Sequence, residues 1–263
     1  TTMNIICGVL NQTEGTVYIN GIDTRKNPVE AKKYIGFLPQ KPPLYTDHNV
    51  DEYLTYCAHL RLMDDKEVKA AVGLAKERCG IAHFSKRLVK NLSGGYQQRL
   101  GIAQAIVHNP KLVVLDEPTN GLDPNQIIEI RRLIREIAEE RAVLISTHIL
   151  PEVQAACDYI MMIEHGQKVF EGTINAFNTY MSPSALMTIM HNAPTTEELL
   201  KIEGIVRVER LTKTRIRLHF KGDNAIVGRV VKQAVENQWH LREISLEKES
   251  LDKVFAKLSG KEV

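Results

Sequence analysis

Asp116 and Glu117 stand side by side at the end of the apolar run "KLVVL". A short, continuous apolar run of that kind reads as a strand buried on both faces of a parallel sheet. Carboxylates leaving its carboxyl end stand where open α/β sheets bind their ligands. The first can hold Mg²⁺ through water, and the second can take a proton from an attacking water. Taken alone, such a pair is merely a solvated strand end. Pro118, Gly121 and Asp123 then shape the following loop, and Asp123-Pro124 reads as an N-cap followed by proline at the first helical position.

Upstream, "NLSGGYQQRL" carries Ser93-Gly94-Gly95 straight into a helical pattern. Two glycines let backbone N–H groups approach a ligand closely, the serine adds a hydroxyl, and a helix start favours negative charge. A serine N-cap with a glycine turn is the better explanation of the bare tripeptide, and the whole stretch "LSGGYQQR" reverses that balance. "AVLISTH" brings His148 to the end of a second buried strand, close enough in this layout to bond a terminal phosphate. Gln40, in "YIGFLPQKPP", is on residue type alone an ordinary loop glutamine.

The elements that must position these residues alternate between strand and helix up to residue 178. "TVYING" and "YIGFLPQ" read as strands, and residues 49–63 and 66–79 as helices. "YQQRLGIAQAIVHNP" is a helix ended by Pro110, "PNQIIEIRRLIREIAEE" a strongly periodic one, and "PEVQAACD" a short one. "YIMMIEHGQKVFEG" is a hairpin turning at His165-Gly166. At "NTYMSPS" the composition becomes polar, as in a linker. Beyond it the order is strand, helix, strand, strand, helix, strand, the βαββαβ arrangement of ferredoxin-like domains, closed by the helical pattern "ESLDKVFAKLSG". The expected organisation is an α/β domain over 1–178 followed by a small α+β domain over 179–263.

With 263 residues, 43% of them hydrophobic, the chain has room for one large or two smaller cores. A net charge of +2, with Lys and Arg scattered among nearly as many Asp and Glu, argues against a nucleic-acid partner. Cys7, Cys57, Cys79 and Cys157 sit far apart in apolar contexts, so they read as reduced, buried thiols suited to a reducing compartment. The longest apolar runs are far shorter than the roughly 18 residues of a membrane span.

Gln40, then LSGGYQQR, VVLDEP, GLD and STH, in that order, resembles the motif series of ATP-binding-cassette (ABC) ATPases over residues 1–178. The resemblance implies a P-loop NTPase-like domain, a mixed sheet flanked by helices with a helical subdomain, with ATP and Mg²⁺ as its ligands. Carried over, Gln40 is the Q-loop glutamine beside Mg²⁺, and Leu92 to Arg99 is the signature motif, with Ser93, Gly94, Gly95 and Gln97 on nucleotide. Asp116 is then a Mg²⁺ carboxylate, Glu117 the catalytic base, Asp123 the D-loop aspartate and His148 the switch histidine. Residues 179–263 are similar to the accessory domain of exporter cassette subunits. The implied partners are a separate membrane permease and a second ATP-binding subunit, with the protein peripheral on the cytoplasmic face of the membrane. Rival readings are a soluble cassette protein acting on ribosomes or DNA, and a non-catalytic nucleotide-sensing or scaffolding subunit.

In that family "TTM" directly follows G-x-x-x-x-G-K-[ST], the loop that cradles phosphate. "TTMNIICG" is therefore expected to be the helix whose amino end faces phosphate, with Thr1 and Thr2 as the residues just after the hydroxyl ligand. No G-x-x-x-x-G-K-[ST] occurs within the 263 residues, so the sequence as written is expected to be inactive. The strand leading into the loop should be central in the sheet, leaving both "KLVVL" and "AVLIS" short of a neighbour.

Overall fold

The structure, a computed structural model, describes residues 1–180, 185–222 and 225–247. The closing pattern "ESLDKVFAKLSG" and the whole of "MSPS" lie outside the described residues. The chain divides into two compact units, Thr1–Ala156 and Cys157–Val263. That division places the 159–173 hairpin with the second unit, whereas the motif-based division at residue 178 leaves it with the first.

In the first unit the opening apolar pattern yields only a five-residue helix, α1 (Thr2–Ile6). "TVYING" contributes the short strand β1 (Tyr18–Ile19), which pairs antiparallel with β2 (Ile22–Asp23) across the positive-φ turn Asn20-Gly21. Helix α2 (Pro28–Lys33), opened by proline in its first turn, leads to β3 (Ile35–Leu38). Helices α3 (Val50–Leu60) and α4 (Asp65–Arg78) follow, α3 started by a reciprocal capping box between Asn49 and Glu52. Then come α5 (Gly94–Ile106), β4 (Leu112–Asp116), α6 (Pro124–Ala138), β5 (Ala142–Ser146) and α7 (Leu150–Ala156).

Strands β3, β4 and β5 form a parallel sheet in that order. Side chains of β4 alternate across it. Val113 and Leu115 enter the main core with Leu38, Leu100 and Ile102, while Val114 joins Cys7, Ile19 and Ile35 on the face covered by α1. The expectation that "KLVVL" would lack a neighbour is corrected here: β4 is paired on both sides and its three central residues are fully buried. Both outer strands, β3 and β5, have a free side among the described residues, and Leu144 on β5 is 36% exposed.

The second unit opens with β6 (Tyr159–Glu164) and β7 (Gln167–Thr173), whose turn has positive φ at both His165 and Gly166 as a tight hairpin requires. The supposed linker begins instead as a helix, α8 (Ile174–Tyr180), anchored by the buried Phe177. Next come β8 (Ala185–Met190), α9 (Thr196–Leu200), β9 (Ile205–Arg210), β10 (Arg215–Phe220), α10 (Ile226–Glu236) and β11 (Leu241–Glu247). The four strands form an antiparallel sheet in the order β11-β8-β10-β9. The strand from the beginning of the βαββαβ unit thus sits centrally beside its last, as in ferredoxin-like domains. Leu186, Ile216, Leu218, Val230 and Trp239 fill the core between this sheet and its helices.

Candidate functional site

Parallel register brings three strand ends to one edge. Leu38 pairs with Leu115, and Asp116 with Ser146. The residues that follow, Gln40 after β3, Glu117 after β4 and His148 after β5, therefore leave the sheet on the same carboxyl side. Gln40 is exposed and Asp116 half-buried there.

Glu117 turns the chain sharply. Its φ is 49°, in the left-handed region that a glutamate seldom adopts, while its N–H donates to the Ser146 carbonyl at 2.9 Å. Such a backbone costs about 1–3 kcal/mol and persists where surrounding contacts enforce it. The result is a carboxylate aimed across the strand gap, with Oε1 2.8 Å from His148 Nδ1. Its other oxygen, Oε2, is buried and has no hydrogen-bond partner among the described residues. The imidazole itself is 74% exposed. The Glu117 carboxylate beside it raises the His148 pKa above the ordinary imidazole value. A carboxylate with one oxygen fixed and one unengaged can accept a proton from water, and an exposed imidazole at its side can donate to an anionic oxygen.

Below this pair lies a carboxylate that the sequence reading did not single out. Glu152, on α7, is 4% exposed. Its carboxyl oxygens are each 2.6 Å from the Thr119 hydroxyl, and Oε2 is 3.2 Å from the Thr147 hydroxyl. Arg131 of α6 stands 3.7 Å from Oε1. The sequence carried no signal for it: Glu152 sits in the short helix α7, which begins two residues after His148.

The signature-like stretch sorts its residues into two groups. Leu92 is buried, and Tyr96 packs edge-on against Phe84. The Gln97 amide donates to the carbonyls of Val89 and Leu92, both at 3.3 Å, so this nitrogen holds the preceding loop. Gln98 donates to the Pro118 carbonyl at 2.7 Å, clamping α5 to the loop after Glu117. Arg99 links the Cys79 carbonyl to Glu129. Gly95 is buried, and a Cβ there would lie 2.6 Å from the Gln126 side chain, so its smallness serves the contact with α6. Ser93 and Gly94 are the exposed members. Ser93 occupies the N-cap position of α5 yet makes no capping hydrogen bond with its side chain, and a Cβ on Gly94 would meet nothing within 4 Å. An exposed hydroxyl and an unobstructed glycine at a helix start suit an anion approaching from outside.

Asp123 caps α6, its Oδ1 accepting from the N–H groups of Asn125 and Gln126, both at 3.0 Å. Thr1 and Thr2 are exposed at the start of α1, and Thr1 makes no side-chain cap. Met3, Ile6 and Cys7 of this segment pack with Ile35 and Val114. Burial pushes the Cys7 thiol up to about 12, with the Asp116 charge adding to the shift. All four cysteines are free.

The donor chemistry fits Mg²⁺. Among the described residues there is no group of three or more His, Cys, Asp and Glu side chains able to hold a metal. The half-buried Asp116 carboxylate and the exposed Gln40 amide supply hard oxygen donors instead, suited to an ion that keeps most of its water and shares a substrate's phosphates. No helix among the described residues is long and apolar enough to cross a membrane.

Comparison with known proteins adds the following. The family model described as "ABC transporter" matches residues 1–120, and one described as "AAA domain, putative AbiEii toxin, Type IV TA system" matches residues 89–153. The bacitracin transport ATP-binding protein BcrA of Bacillus licheniformis is 31% identical over 272 aligned positions, covering 99% of this chain and 84% of BcrA. The uncharacterized ABC transporter ATP-binding protein YxlF of Bacillus subtilis is 32% identical over 66% of this chain, which spans only 57% of that relative's length. Among solved structures, cbiO1 from Clostridium perfringens, part of the ABC transporter complex cbiONQ, superposes with a TM-score of 0.59 at 28% identity, covering 65% of this chain and 71% of its own.

Proposed function

This chain belongs to the ABC transporter ATP-binding protein family, and from that premise we propose that it drives transport, in the export direction, through a separate membrane permease. The observation that carries the reading is the Glu117–His148 hydrogen bond, set at a strand edge directly after Asp116, with Glu117 Oε2 left unengaged. Glu117 orients water and takes its proton. His148 steadies the charge that builds on the terminal phosphate. Asp116 and the Gln40 side chain hold Mg²⁺, which when bound neutralises phosphate charge. Ser93 and Gly94 face the phosphates bound by a second ATP-binding subunit, homologous or identical, so that two nucleotides lie between the pair. Gln97 and Gly95 support that loop from behind, and the second Asp123 carboxylate oxygen is available at the same face.

Export rests on the ferredoxin-like accessory domain that follows the ATPase part. The permease meets the surface around Gln40 and helices α3 and α4, and in this reading the protein sits on the cytoplasmic face of the membrane. The free side of β5 supports a further element of this reading: a strand leading into a phosphate-cradling loop pairs there and covers Leu144. The 263 residues contain no G-x-x-x-x-G-K-[ST], so by themselves they lack the lysine and backbone cradle that such a loop provides.

The test is phosphate release by these residues joined to such a strand and loop, with and without Glu117→Gln. An amide cannot act as base, so turnover should fall about 10²–10⁴-fold while ATP binding survives. Phosphate release within a few-fold of the unaltered protein overturns the assignment.

A further inference from the structure

Thr119 lies two residues beyond Glu117, and Thr147 immediately precedes His148. Both hydroxyls converge on one buried carboxylate, Glu152. We propose that Glu152 is a positioning residue: by holding Thr119 and Thr147 together it fixes the two loops whose meeting puts Glu117 against His148. This inference rests on the reading of Glu117 and His148 as the working pair.

A carboxylate at 4% exposure is costly to bury, and a leucine would fill the same space without that cost. What offsets the burial is its set of partners. Thr119 shares one hydroxyl proton between the two carboxylate oxygens. Thr147 donates to Oε2 while accepting from the Ile149 N–H at 3.1 Å. Arg131 adds charge from α6 at 3.7 Å. The loop after β4 is otherwise joined to β5 by the Glu117 N–H to Ser146 bond. That bond fixes the Glu117 backbone, but it leaves the direction of the following loop and of the His148 ring undetermined. Glu152 supplies the second point of attachment on each side. Charge-assisted bonds of this kind are short and directional, as a hinge point between two loops demands.

The experiment uses the full chain without nucleotide. Two signals are followed by NMR: the ring ¹⁵N shift of His148 Nδ1 at fixed pH, and the hydrogen exchange of the Glu117 amide. Exchange of the Val113–Leu115 amides serves as the internal measure of global stability. Glu117→Gln sets the His148 signal of an unpaired ring. In Glu152→Gln and Thr119→Val the His148 signal should move toward that value, and Glu117 amide exchange should accelerate about tenfold or more relative to Val113–Leu115. Thr119→Ser, which restores the hydroxyl, should restore both signals. An unchanged His148 signal in Glu152→Gln and Thr119→Val overturns the proposal. So does equal acceleration at Glu117 and in the strand in the Val and Ser variants alike. Should Glu152→Gln not fold, the Thr119 pair decides, because it keeps the carboxylate. Turnover plays no part in these signals, so a failure of Glu117 as base appears in phosphate release and leaves this result readable.

Discussion

Gly36, on β3, sets how closely the helix carrying Ser93 and Gly94 can approach the sheet. A Cβ built there would lie 1.9 Å from the Ala105 carbonyl oxygen of α5, 2.8 Å from its carbonyl carbon and 3.1 Å from Pro110 Cγ. The first two contacts are backbone, so no rotamer change relieves them, and α5 must retreat by about 1 Å. Overpacking of this kind costs typically 1–3 kcal/mol. The retreat also strains two bonds on either side of the glycine, Gln104 Nε2 to the Phe37 carbonyl at 2.7 Å and His108 Nε2 to the Ile35 carbonyl at 3.0 Å. At about 1 kcal/mol each, their loss brings the expected cost of Gly36→Ala to about 3–5 kcal/mol. Gly73→Ala is the control. It lies inside α4 with nothing within 4 Å of a Cβ, so the same methyl should stabilise by about 0.5–1 kcal/mol through helix propensity. Urea unfolding followed by far-ultraviolet circular dichroism reads both units. Fluorescence of Trp239, the single tryptophan, reads the second unit's core. With a slope of about 2 kcal/mol/M, Gly36→Ala should lower the first unit's midpoint by about 1.5–2.5 M. A midpoint for Gly36→Ala within about 0.3 M of wild type refutes the close approach of α5 and β3 on which the placement of Ser93 and Gly94 depends.

The His148 titration should sit above the ordinary imidazole value and return to it in Glu117→Gln, followed by NMR. Because the folded value is the raised one, the pair's contribution to stability is complete below about pH 6.5 and fades as pH rises through the folded value; a His148 titration unaffected by Glu117→Gln contradicts the pairing. Gly94→Asp, a like charge placed in the open helix start, should abolish ATP-driven dimerisation in a Glu117→Gln protein supplied with the phosphate-binding loop, while binding to the monomer is almost unchanged. Light scattering in the presence of ATP checks this, and a normal dimer would mean the loop faces nothing. Calorimetric titration of the 263 residues with Mg·ATP should show no tight binding; micromolar affinity would mean the phosphate cradle lies within them after all.

Long, strongly patterned elements were legible because burial and local preference agree in them. "KLVVL" and "AVLIS" are strands, and the periodic stretch from Pro124 is a helix whose cap and proline were visible as Asp123-Pro124. The βαββαβ order could be read from short apolar runs separated by helical patterns, although only β10 shows clean alternation of buried and exposed residues. Short elements were not. "TTMNIICG" was expected to be a helix throughout, but the helix ends at Ile6 and Gly8 has φ of 65°. Three apolar residues were enough to cover Val114, and nothing beyond them rewards a longer helix. "NTY" read as linker because its residues are polar, yet Phe177 just before it buries completely and carries α8 with it.

At the site, the order of motifs pointed to Asp116, Glu117 and His148 and was silent about the groups that aim them. Each of the three has a bland explanation as a strand-end residue, and they could be singled out because Gln40, LSGGYQQR, VVLDEP, GLD and STH follow one another in the chain. Glu152 gave no such sign, since a glutamate in a short helix is ordinary on the page. Its significance comes from burial, and burial depends on which loops the sheet brings together. Within LSGGYQQR, Leu92, Gly95, Tyr96, Gln97, Gln98 and Arg99 are each engaged with the protein's own loops and helices, leaving Ser93 and Gly94 to the outside. The eight-residue stretch is a two-residue exposed tip on a six-residue mount. Gln98 on the Pro118 carbonyl ties that mount to the loop holding Glu117, and Glu152 ties the same loop to His148. A displacement of α5 therefore acts on a connected set of hydrogen bonds that ends at Glu117 and His148.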